Sequence, residues 1–122
     1  MTFARSSCKD GTTDVLLIDI DVPFDVFKQR FLDAWRGLLD YVAKAYEVTP
    51  RLLIVSRSRS GNTHVTLAIR ECVSYEKALL LKFLLGDDRK RIALELWRLE
   101  NIGDPWDFFH RGSGKDAMVM YF

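Results

Sequence analysis

Residues 63–71 read THVTLAIRE and alternate without a break. Val65, Leu67 and Ile69 fall on one side, and His64, Thr66, Ala68 and Arg70 on the other. That is the period of a strand covered on one face only. Such a strand needs an apolar layer over one side of its sheet, which points to a sheet with helices on a single face. The rest of the chain supplies the parts. Residues 15–21, VLLIDID, and 51–56, RLLIVS, read as two more strands. Between them Phe24, Phe27, Phe31, Trp35, Leu38, Val42 and Ala45 recur at spacings of three and four, the stripe of a helix of about six turns. Pro23 suits the first turn of that helix, and Pro50 ends it.

The basic loop at 57–62, RSRSGN, joins the second and third strands as a hairpin. Ser74 is placed to cap a helix running to about Leu85. GDD at 86–88 breaks it, residues 89–99 carry another helical pattern, and AMVMYF at the end reads as a last strand. The order β-α-β-β-α(α)-β predicts an α+β fold, a ferredoxin-like or RNA-recognition-motif-like sandwich with an antiparallel sheet and helices on one face. A flexible arm over residues 1–13 and a single domain over 14–122 complete the expected organisation.

With 122 residues, 48% of them hydrophobic, the chain can bury a core without metal or crosslinks. A net charge of +1 gives no bulk attraction to nucleic acid or membrane, so such contacts must come from local patches. Cys8 and Cys72 form no CxxC or zinc-spaced cluster and are expected to be reduced thiols of a cytoplasmic protein. No apolar run approaches the roughly 20 residues of a membrane span. The polar start, MTFARSSCKDGTT, lacks the apolar run of a signal peptide.

Residues i and i+2 of a strand share a face. If Leu16, Ile18 and Ile20 face the helices, Asp19 and Asp21 project together onto the other side. The same argument puts His64 there. Two adjacent carboxylates repel unless a cation neutralises them, and hard oxygen ligands suit Mg²⁺ or Mn²⁺. Asp21 could instead cap the helix that follows Pro23.

LLIDID followed by SRSGNTHVTL resembles the archaeo-eukaryotic primase superfamily, which includes primase-polymerases of plasmids and viruses. The resemblance covers roughly residues 15–99. It implies a metal-dependent nucleotidyltransferase of DNA replication, taking nucleoside triphosphates and a single-stranded DNA template, with a replication protein as a further partner and no membrane. Asp19 and Asp21 would be the metal ligands, and His64, Ser60, Arg59 and Arg57 the phosphate site. Glu95 would be the third acid, with Asp87, Asp88 and Asp116 as rivals. The chain would be a minimal catalytic core, because it lacks the zinc-binding insertion and accessory domains of many relatives.

Two other readings use the same sheet. A rolling-circle replication initiator would use His64 and a nucleophilic Tyr75, but Thr66 stands where that class has a second His. A catalytically degenerate domain would bind nucleic acid or protein. Against base stacking, the open-face positions Val15, Leu17, Asp19, Asp21, His64, Thr66, Ala68 and Arg70 include no aromatic residue. The aromatic segment WDFFHRG, 106–112, is a candidate partner surface or a satellite of the core.

Overall fold

The structure is a computed structural model that describes residues 8–103 and 116–122. The aromatic segment at 106–112 and residues 1–7 of the expected arm lie outside the described residues. Among the described residues nine elements follow one another: β1 (Thr12–Pro23), α1 (Phe24–Val26), a π-helical turn (Phe27–Phe31), α2 (Leu32–Ala45), β2 (Pro50–Arg57), β3 (Asn62–Ser74), α3 (Tyr75–Leu84), α4 (Arg89–Asn101) and β4 (Met118–Tyr121). The four strands form one antiparallel sheet in the order β1-β3-β2-β4. β3 inserted between β1 and β2 is the split arrangement of a ferredoxin-like sandwich. β4 extends the sheet beyond β2, which leaves β1 at the opposite edge.

Alternation decides which side is buried. Leu16, Ile18, Leu53, Val55, Val65, Leu67 and Ile69 face the helices and are at most 1% exposed. Trp35, Leu39 and Val42 of α2 pack on them, with Ala78 and Leu81 of α3. The Trp35 indole donates to the Leu85 carbonyl (2.7 Å) and so ties α2 to the end of α3. The opposite face is not bare: Leu52, Ser56, Thr66 and Ala68 are all buried there.

The long helix differs from its sequence reading in a definite way. Phe31, Leu38 and Ala45 were expected on its buried stripe, yet all three are exposed. The π-helical turn inserts an extra residue into one turn. Beyond it Leu32 and Leu39 take the places expected of Phe31 and Leu38, while Trp35 and Val42 stay on the covered side.

Gly61 closes the β2–β3 hairpin at φ 90°, a conformation other residues adopt only with strain. Its carbonyl accepts from the Phe24 N–H (2.9 Å), which anchors the helix start to the hairpin tip. Ser74 caps α3 by accepting from the Lys77 N–H (3.2 Å), as its position before the helix implied.

The cysteines are not reduced thiols. Cys8 and Cys72 form a disulfide across a separation of 64 residues, with Cα atoms 5.7 Å apart. The β1–β3 pairing brings Thr12 opposite Ser74, and this register carries Cys8 to the end of β3. Spacing along the chain held no sign of that pairing. Closing so long a loop restricts the unfolded chain, so reduction or Cys8→Ser should cost about 2–4 kcal/mol. Thermal unfolding with and without reductant should then show a midpoint lower by roughly 10 °C. Identical midpoints would show that the crosslink carries no stability.

Candidate functional site

Asp19 is held by both of its backbone groups on the outer edge of its strand. Its N–H donates to Asp87 Oδ1 (2.8 Å), and its carbonyl accepts from the Asp88 N–H (3.0 Å). The GDD turn between α3 and α4 thus pairs with the outer edge of β1 at this residue. With both backbone groups turned outward, Asp19 meets its register partner His64 in a narrow, non-hydrogen-bonded pair, where side chains approach most closely. Asp19 Oδ1 lies 3.3 Å from His64 Nε2. The Asp19 side chain is 31% exposed and that of His64 15%, so solvent reaches the carboxylate first.

Behind Asp19 runs a circuit of charge. Lys82 of α3 is 1% exposed and gives its ammonium to both oxygens of Glu95 (2.8 and 2.7 Å), with Asp87 Oδ2 at 3.5 Å. Arg91, one turn before Glu95 on α4, lies 3.4 Å from Glu95 Oε1 and 3.9 Å from Asp19 Oδ2. The path leaves the Asp19 backbone through Asp87, passes Lys82, Glu95 and Arg91, and returns to the Asp19 carboxylate. Burial pushes the Asp87 and Glu95 carboxyls above the ordinary carboxylate range, and the Lys82 ammonium opposes that rise.

Asp21 shares the open face with Asp19, as alternation required. Its Oδ1 accepts from the Asn62 side-chain amide (2.9 Å), and Asn62 lies two residues before His64 on the same face of β3. Two carboxylates, an imidazole and an amide therefore gather at one end of the sheet. Among the described residues no three His, Cys, Asp or Glu side chains surround one point. The site stands as two pairs, Asp19 with His64 and Asp21 with Asn62. Its donors suit a hard cation, and holding one requires each carboxylate to exchange a present contact for the ion.

The other expected site residues divide. Glu95 is near Asp19, but its carboxylate is engaged by Lys82 and Arg91. Arg57 is turned to the helix side. It pairs with Asp25 and Asp116 (3.0 Å each) and lies over the Phe24 ring (4.9 Å), away from His64. Ser60 bonds the Ser58 hydroxyl (2.9 Å) at the hairpin tip, and Arg59 lies beside it in the turn. Asp88 caps α4 by accepting from the Lys90 N–H (3.0 Å). Tyr75 begins α3 at the far end of β3 from His64. Ser74, just before Tyr75, and His64 lie opposite Thr12 and Asp19 of β1; at about 3.3 Å per residue that puts Tyr75 and His64 roughly 25 Å apart, too far to act on one phosphodiester.

Sequence reasoning missed Lys82, Asn62 and the backbone role of Asp87. The visible signal for Lys82 was a single cation inside the apolar run ALLLKFLL.

No family model matches the chain, and no solved structure matches it. It is similar to an uncharacterised protein, ORF144, of Acidianus filamentous virus 1 (isolate United States/Yellowstone), with 33% identity over 93 residues. The match covers 70% of this chain and 63% of the viral protein's length. Among the described residues no helix is long and apolar enough to cross a membrane.

Lys82→Met would strand two buried carboxylates and should cost about 3–5 kcal/mol near neutral pH. A carboxyl whose folded pKa lies above its unfolded value holds a proton that the unfolded chain has released. Stability from such a group therefore grows as pH falls from neutral toward the ordinary carboxylate range. Removing Lys82 lifts both values further, so the variant should recover part of its loss on acidification. Urea unfolding at about pH 7 and about pH 5 measures this. An equal loss at both would count against the buried pair as its cause.

Proposed function

We propose that the chain is a metal-dependent nucleotidyltransferase of the primase-polymerase kind, working on nucleoside triphosphates and a single-stranded DNA template at the Asp19–Asp21–His64 end of the sheet. The observation that carries this reading is the in-register Asp19–His64 pair, with Asp21 on the same face. Asp19 and Asp21 would hold Mg²⁺ or Mn²⁺, and His64 and Arg59 would approach the nucleotide phosphates. The bound ion would supply charge stabilisation at the transferring phosphoryl group and lower the pKa of the attacking hydroxyl. The protein's part is to fix Asp19 through its backbone and to present an imidazole beside the carboxylate. The reading places the protein in the cytoplasm with its template. The Cys8–Cys72 bond would then have to persist there, as disulfides do inside hyperthermophilic cells.

One observation favours a second reading, a binding domain without turnover. Glu95, the expected third acid, is committed to Lys82, and Arg57 is committed to the opposite side.

The test is calorimetric titration of a nucleoside triphosphate with Mn²⁺ into wild type and into Asp19→Asn/Asp21→Asn. Metal-dependent binding lost in the double variant supports a triphosphate on this face. Primer extension then separates the readings: a transferase should lose roughly 10²–10³-fold in rate with Asp21→Asn alone. Binding with no incorporation under any condition supports the second reading. No binding to folded wild type rejects the transferase and leaves the second reading, with nucleic acid or protein as the ligand.

A further inference from the structure

Both oxygens of the Asp19 carboxylate have a positive or polar neighbour. Oδ1 faces His64 Nε2 at 3.3 Å, and Oδ2 faces Arg91 Nη1 at 3.9 Å. A cation arriving at Asp19 must displace one of them. The Arg91 contact is the longer, and Arg91 has a second anchor: its Nε is 3.4 Å from Glu95 Oε1, one helical turn along α4. Glu95 is itself fixed by Lys82, so that anchor stays in place when Asp19 is taken.

We propose that Arg91 is the resident counter-cation of Asp19, displaced onto Glu95 when a divalent cation binds Asp19 and Asp21. The inference rests on the reading that these two aspartates hold an ion, and it adds how the site stays neutralised without one. In this arrangement Glu95 does not ligate the ion. It is a positioning residue that receives the guanidinium, which gives its burial beside Lys82 a part in the site.

The experiment titrates Mn²⁺ alone, by calorimetry, into wild type, Arg91→Gln, Arg91→Lys and Arg89→Gln. Removing a unit charge about 6 Å from a divalent ion in a water-like dielectric should tighten binding about tenfold in Arg91→Gln. Arg91→Lys, which keeps the charge, should stay within about twofold of wild type. Arg89 is exposed on the same helix, so Arg89→Gln makes the same change of net charge at a distance and should also stay within about twofold. Adding Asp19→Asn to Arg91→Gln should abolish the gain. Should Arg91→Gln fail to fold, the wild type still answers: Mg²⁺ should move the Arg91 Nε–H resonance and leave that of Arg89 in place. Wild-type ion binding with unchanged or weaker affinity in folded Arg91→Gln, or with an unmoved Arg91 resonance, overturns the counter-cation role and leaves the ion site standing. No ion binding by any form overturns the ion site, and this inference with it.

Discussion

The Lys82 ammonium sits at 1% exposure, where a charge without partners is very costly. Glu95 and Asp87 hold it there, and each belongs to a different part of the chain. Glu95 lies in the second turn of α4, so the ion pair binds α4 to α3. Asp87 lies in the turn between these helices and spends its other oxygen on the Asp19 N–H. One buried cation thus fixes a helix pair, the turn that joins them and the outer edge of β1. That edge would otherwise present bare backbone groups at Asp19, and the turn blunts it.

The apolar core and the polar circuit divide the molecule cleanly. The core occupies the helix side of β1, β2 and β3 and is built by strict alternation. The circuit begins where α3 ends and reaches around the β1 edge to the other face. Asp19 stands where the two meet: its neighbours Ile18 and Ile20 are buried in the core, and its own side chain turns to the open face. The core sets its orientation, and the circuit sets its charge environment.

Legibility in the sequence followed the range of each interaction. Alternation and three-four spacing gave the strands, the hairpin and the faces of Asp19, Asp21 and His64, because those signals are local. Ser74 as a helix cap was local too. The π-helical turn was not legible, since a single inserted residue leaves the apolar spacing looking regular while shifting the buried set from Phe31 and Leu38 to Leu32 and Leu39. The Cys8–Cys72 bond and the Lys82–Glu95 pair join distant parts of the fold, and no local pattern announces them. Arg57 stands apart from His64 for a simpler reason. It follows Ser56 in β2 and so takes the face opposite to His64, and Asp25 and Asp116 were there to receive it.

Buried ion networks are poor devices for stability alone. Replacing one with well-packed apolar side chains of similar volume is often neutral or stabilising by about 1–4 kcal/mol. Leu or Met at positions 82 and 95 would join α3 to α4 as firmly. An apolar pair could not keep a carboxylate ready for Arg91, nor orient the Asp87 carboxylate toward the strand edge. Both effects converge on one residue, since Arg91 and Asp87 reach Asp19 by its side chain and its backbone. The polar circuit therefore does for Asp19 what packing cannot, and this convergence is the physical reason to look for function there and not at the basic hairpin tip.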